Sequence, residues 1–512
     1  MSLPWLSLLM CIPLLGIFVL LTISSGVERL VTNTKQTTLW TTVIIFLYVL
    51  YLGLNFEISA VPQFQETYTT LLSGCYYAVG IDGVSYVFIL LSAFLIMLVV
   101  LSSWESIKKD IKLYMCALLL LECCLIGVFI ARDLLLFFIF FELTLIPMFF
   151  IVGIWGGERR LYAAFKFFIY TLFGSLFMLV ALVYLYKQVG SFHIDAIARY
   201  NFTKQEQFWL WLGFFASFAI KVPMWPVHTW LPDTHVEAPT GGSVILAGIL
   251  LKLGGYGLFR FSLPFFPDAM AFFAPFVFAL SVIALVYASF IAFAQKDIKK
   301  LVAYSSVAHM GIVTMGLFAP NLQSVQGALF QMVSHGLISG GLFLLVGFIY
   351  DRMHTREISA FGGVASHMPY YATAFMILTL GLVGLPGTMG FVGEILVVMG
   401  VFAVDPFYAM VAVSGVVWSA MYGLWLYRAV FLGPVTQEKV SQLLDLNRRE
   451  YLILAPILAS VLFFGLYPQS LLRVTEPVAK RLLLVAQEKR LSQEAAAVVP
   501  DKASLYSQTE AM

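Results

Sequence analysis

Nine ionisable side chains occupy positions that amino-acid sequences rarely give them. Lys166, Lys221 and Lys252, Glu122, Glu142 and Glu394, and His228, His309 and His335 all lie inside long apolar runs. Amines, carboxylates and imidazoles share one reversible reaction, the uptake and release of a proton. Burial and neighbouring charge shift that equilibrium. A buried charge without such a task is often replaced by an apolar residue at no loss of stability. Proton transfer through an apolar interior is therefore the chemistry these residue types suggest. Two of the nine have simpler accounts: His228 lies near a helix end, and Lys166 is close enough to an end to snorkel to water.

Other chemistries lack their residues. The five cysteines, Cys11, Cys75, Cys116, Cys123 and Cys124, form no C-x-x-C pair and no Cys/His cluster. Iron–sulfur, zinc and c-type haem sites therefore have no ligand set. No glycine-rich phosphate loop precedes a helix. The expectation is a chain without metal, flavin or nucleotide of its own.

The elements that must position the nine residues follow from composition. Of 512 residues, 61% are apolar and 11% charged, with a net charge of +2. A soluble domain carries about 25% charged residues. A soluble globular enzyme, a disordered chain and a nucleic-acid-binding protein are all excluded, and the lipid bilayer is the expected surrounding. The first apolar run, Leu3 to Thr22, has no basic residue before Arg29. It reads as a retained span rather than a signal peptide.

Runs of about 20 apolar residues suffice to cross a ~30 Å hydrocarbon core. Fourteen occur, near 3–22, 38–55, 84–103, 111–130, 132–155, 161–187, 207–230, 241–260, 269–294, 299–319, 324–350, 369–400, 408–430 and 450–470. The expected fold is an all-α integral membrane protein. One alternating set of loops holds Arg29, Lys35, Lys108, Lys109, Lys112, Arg159, Arg160, Lys296, Lys299, Lys300, Arg352, Arg356, Lys439, Arg448 and Arg449; the other holds Arg132, Lys187, Arg199 and Lys204. The excess of positive charge places the first set in the cytoplasm and both termini outside. The tail after about residue 472 runs against that rule with Arg473, Lys480, Arg481, Lys489, Arg490 and Lys502. Its segment Val478 to Leu491 has the pattern of an amphipathic interfacial helix.

Depth ties the ionisable residues together. Glu122, Glu142, Lys252, His309 and His335 each fall roughly ten residues from a helix end, ~15 Å at 1.5 Å per residue and half of a ~30 Å core. Lys221 lies somewhat further across. Such a shared depth predicts a polar row along the bilayer midplane. Helix breakers stand beside it. Pro223 and Pro226 follow Lys221, Pro386 and Gly387 precede Glu394, and Gly254 with Gly255 and Gly257 follows Lys252. Irregular backbone at membrane depth is tolerated only where protein or water satisfies it, and paired interrupted helices mark inverted-repeat transporters. The proline breaks lie five spans apart, an odd number, so the halves are inverted. The resulting division is residues 1–110 as a three-span segment, 111–262 and 263–432 as inverted five-helix repeats, and 433–512 as the last span and tail.

At these residues the chain resembles a known family. Lys221-Val-Pro-Met-Trp-Pro-Val-His228 continues through Trp230-Leu-Pro232-Asp233 and Pro239-Thr-Gly-Gly-Ser243 to Leu246-Ala-Gly-Ile-Leu-Leu-Lys252-Leu-Gly-Gly-Tyr-Gly257. Phe141-Glu142, Lys166-Phe-Phe-Ile-Tyr170, Asp297 through His309 to Gly311, and Gly390-Phe-Val-Gly393-Glu394 add to it. These motifs, spread over about residues 80–470, are similar to the proton-translocating antiporter-like family, which includes membrane subunits of NADH–quinone oxidoreductase (respiratory complex I). The resemblance implies that Glu142 is the charge partner of Lys221, that Lys221 is the central proton carrier, and that Lys252, His309 and His335 relay laterally. Glu394 would be the terminal donor, with Glu122, Lys166 and His228 as possible additions. It also implies neighbouring antiporter-like subunits in a bacterial inner membrane, with NADH, FMN, iron–sulfur clusters and quinone held elsewhere in the complex. A cation/proton antiporter or hydrogenase-linked subunit of the same family shares every one of these residues. A quinone- or haem-binding redox protein lacks paired ligand spacing, and a passive scaffold has no need of buried charge at one depth.

Overall fold

Polar residues that stop the apolar runs also start the helices. Asp82, Asp133, Asp297, Asn321 and Asp405 each accept a hydrogen bond from a backbone N–H of the first turn that follows. Capping boxes Thr203/Glu206 and Asn447/Glu450 open two more helices. Each satisfies donors that a helix start leaves without partners. In the computed structural model, which describes residues 3–24, 27–70, 74–435 and 437–498, the long helices are α1 (Trp5–Thr22), α2 (Val27–Leu54), α3 (Gly83–Ser106), α4 (Ile111–Ile130), α5 (Leu134–Trp155) and α6 (Arg160–Val189). The seventh crossing is interrupted, as α7 (Lys204–Lys221) and α8 (Trp230–Glu237). Then come α9 (Thr240–Phe265), α10 (Pro267–Phe293), α11 (Ile298–Phe318) and α12 (Leu322–Met353). The twelfth crossing is also interrupted, as α13 (Pro369–Val383) and α14 (Met389–Phe402), before α15 (Pro406–Phe431) and α16 (Arg448–Leu466).

Among the described residues, twelve helices are long and apolar enough to span a membrane, and the two interrupted crossings complete the expected fourteen. The tail is one helix, α17 (Gln469–Val498), longer than the sequence pattern suggested; Lys502 lies outside the described residues. Not foreseen was an antiparallel hairpin, β1 (Gln63–Thr69) and β2 (Tyr76–Ile81), in the loop before α3.

Burial sorts the helices. The hydrophobic windows of α9 and α12 are wholly enclosed and that of α11 nearly so, whereas α1, α2, α6 and α16 have most of theirs outside the buried core. The enclosed helices carry Lys252, His335 and His309. Charge sits where other helices, not lipid, supply its surroundings.

The hairpin, the start of α1, the loop before α7 and the tail share one face. Glu66 accepts from the Leu6 N–H (2.6 Å), Arg481 donates to the Ala60 carbonyl (3.0 Å), and Gln493 donates to the Phe202 carbonyl (2.8 Å). The opposite face carries the loops richest in basic residues, tied by Arg352–Glu450 at 2.7 Å and Arg449–Glu105 at 2.8 Å.

Candidate functional site

Helix α7 ends at Lys221 because Pro223 has no N–H to continue the ladder. The Met224 N–H bonds the Ala219 carbonyl instead (2.8 Å), and the Ile220 carbonyl left over accepts from the Trp230 indole at 2.9 Å. The break is thus satisfied from within the protein. Lys221 is buried, its Nζ 4.7 Å from the centroid of the Phe141 ring and without a hydrogen-bond partner among the described residues. Glu142, on α5, is the carboxylate whose charge acts on it. The two form no direct ion pair, and Glu142 Oε1 is likewise unpartnered.

Beyond this pair the polar groups connect. Lys252 Nζ lies 2.7 Å from His335 Nδ1 and also reaches the Ala247 carbonyl. The rings of His335 and His309 have centroids 6.2 Å apart, and His309 Nδ1 lies 2.9 Å from Glu394 Oε1. Tyr422 Oη touches the other ring nitrogen of His309 at 3.2 Å, and the Gln331 amide donates to Glu394 at 3.2 Å. Two bonded contacts, Lys252–His335 and His309–Glu394, therefore line up across α9, α12, α11 and α14; the two imidazole rings stand side by side between them, with His335 Nε2 unpartnered among the described residues.

Small residues permit that approach. A Cβ on Gly336 would stand 2.8 Å from the Gly248 carbonyl, so α9 and α12 meet backbone to backbone beside the Lys252–His335 contact. Helix α13 ends on Gly384 at φ +80°, where a Cβ would lie 3.0 Å from Glu394 Oε2. Pro386 and Gly387 fill the turn before α14 resumes. A left-handed residue without a side chain is what this turn and the adjacent carboxylate require.

Gly254 does not break its helix, contrary to the sequence expectation. Helix α9 runs on through Gly254, Gly255 and Gly257, with π-helical turns at Leu246–Leu250 and Leu258–Ser262. These glycines serve packing: a Cβ on Gly254 would lie 2.7 Å from the Phe218 carbonyl of α7. The other candidates stay apart from the series. Lys166 pairs with Asp233 at 2.7 Å and is partly exposed. His228 packs edge-on to Tyr287 at 5.7 Å. Glu122 is fully buried on α4, and neither carboxylate oxygen has a partner among the described residues.

Sequence reasoning missed several groups. Lys299 was read as a loop residue but is buried, donating to the Ala238 carbonyl at 2.6 Å. His235 lies flat on Phe343, ring centroids 4.5 Å apart. Arg260, two turns past Lys252 on α9, pairs with Asp82 at 2.5 and 2.8 Å. Burial opposes ionisation of Asp82, but the guanidinium outweighs it and holds this carboxyl below the usual range. The only sequence signal for that pair was an arginine inside an apolar run. Among the described residues, no three His, Cys, Asp or Glu side chains are grouped to hold a metal ion.

The chain is similar to known proteins over nearly its whole length. Residues 131–419 match the family described as NADH:quinone oxidoreductase/Mrp antiporter, and residues 5–128 match the amino terminus of NADH-ubiquinone oxidoreductase chain 4. NADH-quinone oxidoreductase subunit M of Rhodobacter capsulatus is 50% identical over 93% of this chain and 96% of its own length. NADH-ubiquinone oxidoreductase chain 4 of Marchantia polymorpha is 46% identical over 91% of this chain and 94% of its own. A chain of respiratory complex I from Thermus thermophilus superposes with a TM-score of 0.86 at 32% identity, covering 94% of this chain and 99% of that one. A chain of the Mrp complex of Dietzia shares the fold, with a TM-score of 0.81 at 20% identity.

Proposed function

The chain belongs to the NADH:quinone oxidoreductase/Mrp antiporter family, and from that premise we propose that it is a proton-translocating membrane subunit of an NADH–quinone oxidoreductase. The observation that carries the reading is the contact series Lys252–His335 and His309–Glu394, buried across four helices. Every member exchanges a proton without net chemistry, so a proton entering at one end displaces one at the other.

Lys221 and Glu142 supply the control. Burial weakens an ammonium's hold on its proton and a nearby carboxylate restores it. At an effective dielectric of ~20 a carboxylate ~4 Å away contributes about 4 kcal/mol, and about half that at ~8 Å. Moving one charge across 100 mV costs about 2.3 kcal/mol, so a change in separation of a few ångströms is enough to drive the transfer. When the pair closes, Lys221 keeps its proton; when it opens, the proton passes toward Lys252. The aromatic rings around Lys221 and the re-bonded break after it allow that movement without leaving a backbone group unsatisfied. Inverted halves, residues 111–262 and 263–432, would place the two breaks at opposite ends of the route.

NADH, FMN, iron–sulfur clusters and quinone would belong to other subunits, whose redox work reaches this chain through neighbouring antiporter-like subunits. The setting would be a bacterial inner membrane, with the hairpin and tail face outside, as the loop charges suggest. Lys221→Ala in the assembled complex tests the reading. NADH–quinone electron transfer and proton pumping should fall together, while NADH oxidation by an artificial acceptor survives. Unchanged pumping would make the lysine structural and remove the centre of the mechanism.

A further inference from the structure

On the face that carries the hairpin and the tail, a groove of about 640 Å³ lies between α10, the end of α11, the start of α15 and α17. Its walls are apolar, with Met270, Ala274, Phe278, Tyr408, Leu483 and Ala486 among them. Close by on the same helices, Phe272, Phe276, Phe407 and Met410 are exposed, as lipid-facing side chains are. The size and lining are those of a site for a small amphiphile.

Its polar groups are few and of both signs. Arg490 and Gln487 come from α17, and Asp405 from the head of α15. Arg490 is held only loosely, its Nε 3.9 Å from Asp268, and that nitrogen has no hydrogen-bond partner among the described residues. Asp268 is itself engaged by Gln207, which donates to it at 3.0 Å. Asp405 is half-buried, and one of its oxygens caps α15 through the Phe407 N–H at 2.9 Å. The groove thus offers a loosely held planar guanidinium, an amide and a carboxylate around an apolar trough. A guanidinium suits a phosphodiester, which accepts two parallel hydrogen bonds from it. A carboxylate on the same rim suits a cation at short reach and disfavours a purely anionic headgroup.

We propose that this groove is a specific site for a zwitterionic phospholipid with an ammonium headgroup. One acyl chain lies against α10 and α17, the phosphate sits on Arg490 and Gln487, and the ammonium faces Asp405. The amphipathic tail helix then owes part of its place on the membrane surface to a bound lipid as well as to protein contacts.

The test uses the purified intact complex, delipidated in detergent, with phosphatidylethanolamine or phosphatidylglycerol added back and lipids bound to this subunit counted by native mass spectrometry. The wild type should retain one phosphatidylethanolamine more than Ala274→Trp, which fills the trough. Arg490→Gln should bind it about ten-fold more weakly, the effect of one charge-assisted hydrogen bond. Asp405→Asn should shift preference toward phosphatidylglycerol. A phosphatidylethanolamine carrying a photoreactive acyl chain should label α10 and α17 in the wild-type complex, which guards against a variant that fails to assemble. Equal lipid counts in wild type and Ala274→Trp, or labelling that goes instead to an adjoining protein subunit, would overturn the proposal.

Discussion

The two halves of the molecule treat their buried charges differently. In the first, Lys221 and Glu142 act on each other across a distance, and neither Lys221 Nζ nor Glu142 Oε1 has a hydrogen-bond partner among the described residues. In the second, His309 bonds Glu394 at 2.9 Å with Tyr422 and Gln331 beside it, and His335 meets Lys252 of the first half at 2.7 Å. Each half has an interrupted crossing, yet the charged pair beside the first, Lys221 and Glu142, is loose, whereas the pair beside the second, His309 and Glu394, is bonded. A loose pair changes energy steeply with separation, whereas a hydrogen-bonded pair can exchange a proton with little movement. Under the proposed function, the comparison assigns switching to the Lys221–Glu142 pair and conduction to the bonded groups of the second half.

The largest effect that tests this belongs to the bonded half. Glu394→Gln should lower coupled electron transfer and pumping at least ~10-fold, as expected on removing a proton-transfer group. His309→Leu should be similar, and the double variant little worse than either, because residues of one network are not additive. Fully additive losses would mean that the two do not act in series. Next, Glu142→Gln should reduce pumping about 3–10-fold, since it removes the charge that restores the proton to Lys221. Pumping at the wild-type rate would leave the loose pair with no role. Lys166→Ala should change activity less than ~2-fold, because its pair with Asp233 is partly exposed and worth at most about 1 kcal/mol.

The smallest effect concerns the tail helix, which touches the first half at Gln207 and the second at Asp268. Burial pushes the Lys489 amine on this helix down to about 8, from an ordinary value of 10.5. A base whose folded value is depressed costs docking free energy below that value, and the cost is relieved as pH rises from 8 toward 10.5. Hydrogen exchange across residues 469–498, compared at pH 7 and 9 after correction for intrinsic rate, should show firmer docking at the higher pH. Lys489→Met should remove the difference and gain on the order of 2 kcal/mol. Protection that is independent of pH in the wild type would sink this reading.

The span count and the two interruptions were legible because their signals are local. Twenty apolar residues in a row, or a proline after a lysine, restrict the backbone wherever the chain is placed. Lys299 and Arg260 show where locality fails. The first follows a basic stretch that reads as a loop, yet it turns inward under the Ala238 carbonyl. The second finds Asp82, 178 residues away in sequence. Gly254 shows the converse, since glycines after a lysine read as a break and proved to be a packing surface against α7.

By itself, then, the sequence determined that the chain lives in a membrane, how many times it crosses, and which ionisable residue types lie at mid-depth. Apolar transfer energy and backbone hydrogen bonding act residue by residue, so composition and spacing suffice for those conclusions. Which of the nine ionisable groups touch was decided only by tertiary structure. Depth along a helix axis is one coordinate, but contact also needs the rotation of each helix and its distance from the next. Those are set by glycines such as Gly248 and Gly336, where two backbones approach closely enough for Lys252 to reach His335.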